Sequence, residues 1–306
     1  MWCTVDRFEP GRPERNSPFA IVGVLTLVLG LVVGIALAGR VVRPIRGMAV
    51  AAPGVLADGA GQPSAGSPPR SAEPRPVVEL GANPLLADGV TLPRITCTLP
   101  ELGRSGAQVR RYYDAALGCL DDAWRPVLAA AHEPFAEAGL NIAADADSSC
   151  GDMPAEEEAT AFYCAADEVI YMPRRRLLEY LEVYEPAHLA VLAHEYAHHV
   201  QNLSGILEAA SRRLFGAEEG GQKELLVTRR IELQANCFAG LFLAGAAGRG
   251  SLPWSEAQAA VNDFRNSVDS DTHGTLENQV RWAERGFEEA TTAACDTWDV
   301  PARDVA

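Results

Sequence analysis

The chain of 306 residues is poor in lysine and in histidine. Lys223 is its one lysine among 26 basic residues, and 41 acidic residues bring the net charge to −15. An acidic chain without a basic stripe excludes nucleic acid as a partner. The cysteines lack the C-x-x-C spacing that is typical of zinc–cysteine sites. With six histidines in the whole chain, a fixed spacing between two of them is informative.

Two of these histidines, His194 and His198, are separated by four positions and enclose Glu195. Positions i and i+4 lie on one face of an α-helix, so both imidazoles can point at one ion. Glu195 projects beside them, where it can accept a proton from a zinc-activated water that attacks a carbonyl. The motif has apolar neighbours, which argues against a solvated surface helix. On a buried helix, two imidazoles and a carboxylate need a partner such as a metal ion. The motif predicts a Zn²⁺ site with hydrolytic chemistry.

A third ligand must come from elsewhere in the chain. A three-histidine site would need glycine at 201 and histidine at 204, but the chain has Gln201 and Ser204 there. The other common arrangement takes a glutamate from a later helix and leaves one position open. Glu232, among apolar neighbours at helical spacing, is the preferred candidate, although it could be an ordinary solvated glutamate. Glu208 and Glu224 have more polar surroundings and are weaker candidates.

Several short motifs follow one another between about residue 95 and residue 298. They are Cys150-Gly151, Phe162-Tyr163-Cys164, Val191-Leu192-Ala193-His194-Glu195, Gln201-Asn202, Glu232-Leu233-Gln234-Ala235, Asp271-Thr272-His273-Gly274-Thr275, Gln279-Val280-Arg281-Trp282 and Gly286-Phe287. Together they resemble the putative neutral zinc metallopeptidase family of bacteria. The resemblance implies a zinc-dependent peptidase of the thermolysin-like type. It also implies that His194, His198 and Glu232 are the metal ligands and that Glu195 is the general base. The expected fold is α+β, a mainly helical zincin-like domain with a small sheet.

One position departs from the pattern of such families. They usually carry an aspartate four residues after the ligand glutamate, where it orients a zinc-bound histidine, and this chain has Asn236. An amide oxygen can still accept the imidazole N–H, but the charge is lost, and such changes typically cost about 10–100-fold in affinity or activity. The alternative is that Asn236 makes no contact with His194.

His273 lies in a turn that precedes the last predicted helix. A side chain outside the metal ligands is needed to donate a hydrogen bond to the developing oxyanion, and His273 is the candidate for that role. A structural histidine at a helix cap is an equally good interpretation.

Residues 19–39 are predicted to form a transmembrane helix, preceded by a cytoplasmic tail at 1–18. Phe19 to Ala38 are uncharged, and twenty helical residues span roughly 30 Å. A cleaved signal peptide is the alternative, but the apolar stretch is long and the preceding region carries acidic residues. Small residues recur every fourth position and favour a homodimer through this helix; they are Thr26, Gly30, Gly34 and Ala38.

Arginines flank the span equally, so the excess of positive charge on one side cannot set its orientation. Cysteine usage instead predicts which side of the membrane the domain occupies. Cys3 precedes the span; the six that follow are Cys97, Cys119, Cys150, Cys164, Cys237 and Cys295. In an oxidising compartment six could form three disulfides, which predicts a single-pass cell-membrane protein with an extracytoplasmic domain. Cys150 and Cys164 are the first expected pair, because the loop between them is short and polar and the family that the chain resembles carries both. Buried thiols in a cytosolic domain are the alternative.

Residues 40–95, rich in Ala, Gly, Pro and Ser, are predicted to be a flexible, disordered linker, and 96–300 the zinc metallopeptidase domain. Helices are expected from 106 to about 131, with Pro126 ending one and opening another, and at about 175–183, 187–203, 205–215, 222–247, 254–267 and 274–289. Strands are expected at 140–143 and 167–172. The second strand is either a sheet edge that pairs with an extended substrate or an ordinary interior strand.

Two functions are consistent with the sequence. The first is a membrane-anchored zinc endopeptidase that acts on peptides or proteins. The second is a catalytically weak zinc-binding domain that serves as an interaction or scaffolding module in the cell envelope. Asn236 favours the second and Glu195 favours the first, because a purely structural site does not use a base.

Overall fold

A computed structural model describes residues 49–50, 79–144, 146–156 and 159–306. These residues form seven α-helices and one small sheet, which confirms the mainly helical α+β prediction. The predicted tail at 1–18, the predicted transmembrane helix at 19–39 and most of the predicted linker lie outside the described residues. Within the described ranges, none of the helices combines the length and the apolar character that a membrane crossing requires.

The helices follow the predicted segments closely. They are α1 (Gly106–Ala130), α2 (Arg174–Tyr180), α3 (Glu185–Leu203), α4 (Ile206–Leu214), α5 (Gln222–Ala246), α6 (Trp254–Asp263) and α7 (Leu276–Glu289). Short 3₁₀ helices cover Leu80–Ala82, Pro84–Leu86, Phe264–Asn266, Thr292–Cys295 and Ala302–Val305. Thr275 caps α7 as expected of the turn before it, because its side chain accepts a hydrogen bond from the Asn278 backbone N–H.

The first helix, α1, runs without interruption through Pro126, so the prediction of two helices there is wrong. Ser105 and Gln108 form a capping box at its start. Pro126 is exposed near the end of the helix and removes one backbone donor. The buried side chains Trp124, Val127 and Leu128 lie on both sides of it, and their packing keeps the last turns helical.

Helices α5 and α7 cross at close range because glycine occupies both sides of the contact. A Cβ atom on Gly240 would lie 2.1 Å from the Ala283 carbonyl oxygen, and one on Gly286 would lie 2.0 Å from the Cys237 oxygen. Only glycine permits backbones to approach so closely. The crossing brings the start of α7, with the turn before it, towards the part of α5 that carries Glu232.

The sheet has the strand order β1-β3-β4-β2, with β1 at Ala49–Val50, β2 at Gly139–Asn141, β3 at Phe162–Cys164 and β4 at Val169–Tyr171. β3 and β4 are antiparallel, with Tyr163 opposite Ile170, and β2 runs parallel to β4. The strand predicted at 167–172 is therefore interior, and the substrate-edge interpretation of it is wrong. Both sides of its backbone pair within the sheet, so it has no free edge to offer a peptide.

Part of the predicted linker is packed in the structure. Leu80 and Leu85 are buried, and Leu86 joins the same core. Asn83 accepts a hydrogen bond from the Leu85 N–H and donates one to the Ser204 carbonyl. Residues 79–95 thus contribute apolar side chains to the helical domain.

Two disulfides link Cys150 to Cys164 and Cys237 to Cys295. The first confirms the expected pair. The second ties α5 to the 3₁₀ helix Thr292–Cys295 near the end of the chain. Cys97 and Cys119 remain thiols. The described residues therefore contain two disulfides rather than the three that six cysteines could form.

Candidate metal centre

Helix α3 carries His194, Glu195 and His198 through the middle of the domain. Almost all of its residues are buried, including these three polar ones. Its small and apolar side chains, such as Ala190 and Val191, allow neighbouring helices to enclose it on every side. A buried helix of this kind holds its polar side chains in fixed directions, which a binding site requires.

The two imidazoles and the Glu232 carboxylate meet at one point. The Nε2 atoms of His194 and His198 are 3.1 Å apart, and each lies 3.3 Å from Glu232 Oε2. Glu232 comes from α5, which packs against α3, and its side chain is 2% exposed. The three atoms therefore form a nearly equilateral triangle in the protein interior.

This triangle fits a zinc ion. Zinc takes nitrogen and oxygen ligands at roughly 2.0–2.1 Å in a tetrahedral arrangement, which places neighbouring ligand atoms about 3.3 Å apart. Glu232 Oε2 is fully buried and receives no hydrogen bond of good geometry, although imidazole nitrogens surround it. Such an oxygen is costly to bury unless a cation shares the space. The donor set of imidazole and carboxylate is one that zinc prefers.

The outer nitrogen of each imidazole is held by an amide oxygen. His194 Nδ1 lies 2.8 Å from Asn236 Oδ1, and His198 Nδ1 lies 2.8 Å from Gln201 Oε1. An amide oxygen only accepts, so each Nδ1 carries the proton and donates it. Each Nε2 is then left with its lone pair directed at the shared point, the tautomer that metal binding requires.

Gln201 continues a chain of hydrogen bonds that the sequence did not reveal. Its Nε2 donates to the Ile231 carbonyl at 2.9 Å and to Gln234 Oε1 at 3.1 Å. Gln234 in turn donates to the Cys295 carbonyl at 3.1 Å. This network connects His198 to the second disulfide. The spacing of three residues between His198 and Gln201 on one helix was the signal that could have identified the first contact.

His273 lies on the solvent side of the same cluster. Its Nε2 is 3.3 Å from Glu232 Oε2, and donor atoms of His194, Glu232 and His273 all lie within 4.8 Å of one another. The His273 ring stacks over the His194 ring with 6.5 Å between centroids. The cap interpretation is incomplete, since His273 faces the cluster as well as occupying the turn.

The surroundings of Glu232 and His194 favour an ionised carboxylate and a neutral His194 ring. Burial alone would raise the pKa of Glu232, but the His198 and His273 imidazoles hold it well below its usual value. Burial lowers the pKa of His194, which keeps that ring neutral. Both states are those of metal ligands.

Glu195 is fully buried on α3, between the two histidines in sequence. The remaining histidines lie apart from the cluster. His199 is buried and contacts the Tyr163 hydroxyl and the Ala136 carbonyl, which gives it a packing role. His188 contacts the Tyr113 hydroxyl, and His132 is exposed. The weaker candidate Glu208 is exposed and Glu224 is half-buried, and neither joins the cluster.

Comparison with known proteins identifies relatives. The model of the family described as "Putative neutral zinc metallopeptidase" matches residues 101–298. The uncharacterized protein Rv2575 of Mycobacterium tuberculosis is 28% identical over 228 residues, 64% of this chain and 74% of its own length. The uncharacterized protein YpfJ of Escherichia coli is 32% identical over 158 residues, 45% of this chain and 53% of its own length. No solved structure matches the chain significantly.

Proposed function

The chain belongs to the putative neutral zinc metallopeptidase family, and on that premise we propose that it is a membrane-anchored zinc endopeptidase. Its catalytic domain lies outside the cytoplasm and hydrolyses peptide bonds in peptides or proteins. One observation carries the proposal: three donor atoms stand 3.1–3.3 Å apart in the protein interior, at the spacing of zinc ligands, on the helix that also carries Glu195.

His194, His198 and Glu232 are the side chains that hold the ion in this proposal. Asn236 and Gln201 keep the two rings in the tautomer that leaves Nε2 free to bind. When bound, zinc supplies Lewis acidity that polarises the scissile carbonyl and acidifies a water molecule. The enclosing helices exclude bulk water, which strengthens every charge interaction inside the centre.

Glu195 carries the proton in the reaction. Its carboxylate accepts the proton of the attacking water as the new C–O bond forms, and then passes it to the leaving amine as the C–N bond breaks. His273 donates an Nε2 hydrogen bond to the oxyanion that develops on the carbonyl oxygen. His273 is suited to this role because it reaches the cluster from the solvent side.

Asn236 supports a second candidate function, a zinc-binding interaction module with weak catalysis. The residue contacts His194 at 2.8 Å through a neutral amide, where a carboxylate would make the ring a stronger ligand. In this alternative zinc has a mainly structural role, and the domain acts by binding other envelope proteins.

The variant Glu195→Gln separates the two functions. It keeps the shape of the side chain and removes the base, so hydrolysis of an unfolded protein substrate is expected to fall by at least about a hundredfold. Zinc content, measured by metal analysis, is expected to stay near one per chain. Glu208→Gln, the same change at an exposed position, is the matched control and leaves activity unchanged. Full hydrolysis in Glu195→Gln with zinc bound would contradict the enzymatic proposal.

Placement in the membrane has its own test. Whole cells that express the chain are treated with a membrane-impermeant thiol reagent, before and after reduction. Disulfide cysteines outside the cytoplasm become labelled only after reduction, whereas Cys3 on the cytoplasmic side stays unlabelled in intact cells. Labelling of Cys3 without lysis would reverse the proposed orientation. Crosslinking in membranes tests the proposed homodimer through residues 19–39.

A further inference from the structure

Cys97 and Cys119 are the two cysteines in the described part of the chain that form no disulfide. Their thiols are hydrogen-bonded to each other, which brings the segment before α1 into contact with the middle of that helix. We propose that this pair is a redox-active dithiol that reacts with a disulfide compound and closes a reversible disulfide between Cys97 and Cys119. The inference goes beyond the proposed function, because neither cysteine belongs to the metal centre.

Exposure assigns different roles to the two thiols. Cys97 is 1% exposed in the core, whereas Cys119 is half-buried on α1. The residue before it, Gly118, is exposed, and a Cβ atom on Gly118 would face open space among the described residues. A reagent in solution can therefore approach the Cys119 sulfur directly. Cys97 is enclosed and acts through its contact with Cys119.

The chemistry of the two thiols agrees with this order. A thiolate, rather than a thiol, attacks a disulfide. The hydrogen bond from Cys97 lowers the pKa of Cys119, and the Thr98 backbone N–H lowers it further against the opposing effect of partial burial. The same thiol–thiol hydrogen bond, together with burial, raises the pKa of Cys97. Cys119 is thus the attacking cysteine, and Cys97 keeps its proton until the second step.

The reaction is a thiol–disulfide exchange in two steps. In the first step Cys119 loses its proton and its sulfur attacks the disulfide compound, whose S–S bond breaks. One half of the compound bonds to Cys119, and the other half takes up a proton and leaves as a thiol. In the second step Cys97 loses its proton, attacks the Cys119 sulfur and releases the remaining half as a second thiol. Two cysteines are oxidised, and one disulfide compound is reduced to two thiols.

An acidic neighbour determines which class of disulfide compound fits. The exposed Asp122 carboxylate lies close enough to the pair to raise the pKa of both thiols. The same charge repels an anionic reagent that approaches Cys119, and the net charge of −15 on the chain acts in the same direction. The site therefore favours a neutral or cationic disulfide over an anionic one.

Closure of the disulfide would join three parts of the domain. The Cys97 carbonyl accepts a hydrogen bond from the Ser251 N–H at 2.8 Å, and the Ile95 N–H donates to the Gly245 carbonyl at 3.1 Å, near the end of α5. The segment around Cys97 is thus already attached to α5 and to the loop that follows it. A bond to Cys119 would add α1 covalently, and it would stabilise the fold because a disulfide restricts the unfolded chain.

The test treats the reduced pair in the purified full chain with cystamine, a cationic disulfide, and maps the products by mass spectrometry of unreduced peptides. In the wild type the expected product is a peptide pair linked through Cys97 and Cys119. Cys97→Ser should instead retain a mixed disulfide on Cys119, because the second thiol is missing. Cys119→Ser should leave Cys97 unmodified, because Cys97 is enclosed. Peptide mapping keeps these products separate from any reaction at Cys3.

The effect of charge is tested with oxidised glutathione, an anionic disulfide. Asp122→Asn should react with it at least about threefold faster than the wild type, because one repelling charge near Cys119 is removed. Asp114→Asn, the same change elsewhere on α1, is the matched control and should match the wild type. Equal rates in the two variants would overturn the selection by charge.

Thermal unfolding measures the effect of closure. Cystamine should raise the Tm of the wild type by at least about 5 °C and leave that of Cys97→Ser without such a rise. A low concentration of dithiothreitol should open this disulfide before the other two, since Cys119 is accessible. A wild type that retains a mixed disulfide on Cys119, or whose folded form does not react at either cysteine, would overturn the inference. Both results would leave the proposed metal centre untouched.

Discussion

Replacing Asn236 by aspartate is the sharpest single perturbation of the centre. The Asn236 amide oxygen accepts the His194 Nδ1–H at 2.8 Å, and the residue is 3% exposed. A carboxylate at this point would make a charge-assisted hydrogen bond and raise the basicity of Nε2 on the far side of the ring. The expected gain in zinc affinity is about 10–100-fold, which corresponds to about 1.4–2.7 kcal/mol.

The same change should cost stability when no metal is bound. Asn236 Nδ2 donates to the Gln279 carbonyl at 3.4 Å, and a carboxylate oxygen in its place would face that carbonyl without a proton. A buried polar atom left without its partner costs about 1–3 kcal/mol. Asn236→Asp should therefore unfold at a lower temperature than the wild type after chelation and should recover with zinc.

Chelator competition gives the zinc affinity, and thermal unfolding with and without zinc gives the stability. Asn262→Asp is the matched control, because it adds the same charge at an exposed position on α6. It should change neither quantity by more than about 0.5 kcal/mol. If Asn236→Asp and Asn262→Asp bind zinc equally well, the contact between Asn236 and His194 does not tune the ligand, and the reasoning fails.

Three further changes test the scaffold around the centre. Gly286→Ala should destabilise the chain by about 1–3 kcal/mol or more, because its Cβ would lie 2.0 Å from the Cys237 oxygen; denaturant unfolding measures this, and Gly118→Ala, with open space around it, is the control. Burial lowers the pKa of His188 to about 4, so the unfolded chain binds the proton first and stability should fall by up to roughly 3 kcal/mol between pH 6.5 and 4. In His188→Gln that slope should flatten, and an unchanged slope would contradict the assignment. Joint replacement of Cys237 and Cys295 by serine should cost about 2–4 kcal/mol and weaken zinc binding through the Gln234 contact with the Cys295 carbonyl; Cys119→Ser is its control, and unchanged zinc affinity would show that the network does not reach His198.

The parts of the centre that were predictable from the sequence are those fixed by helix geometry. His194 and His198 had to share a face once the segment was helical, and Glu232 was identifiable as a polar residue in an apolar helix. Their meeting at one point depends on the packing of α3 against α5, which the resemblance to a known family implied and periodicity alone could not. The contact between Gln201 and His198 was also local, and the three-residue spacing carried that information.

Features set by contacts distant in sequence were not predictable. Cys237 and Cys295 are 58 residues apart, and six cysteines allow fifteen pairings, so spacing cannot select this one. Leu80 and Leu85 are two of the few large apolar residues in a segment of small residues and prolines. Their burial depends on the surface of helices that lie far away in the sequence. Pro126 was expected to interrupt α1 because proline is unfavourable in the interior of a helix. The packing of side chains on both sides of Pro126 outweighs the loss of one backbone hydrogen bond.

Asn236 and Glu232 divide the work of holding an ion unequally. With a neutral amide behind His194, the charge that faces a bound zinc ion would come from Glu232, and the two inner imidazoles are weaker ligands than carboxylate-backed rings would be. An aspartate at 236 would strengthen His194 as a ligand, but it would also add a buried charge, which the low-dielectric interior penalises when no metal is bound. The gain in metal affinity from a carboxylate at this position is therefore tied to a loss of stability in the metal-free protein.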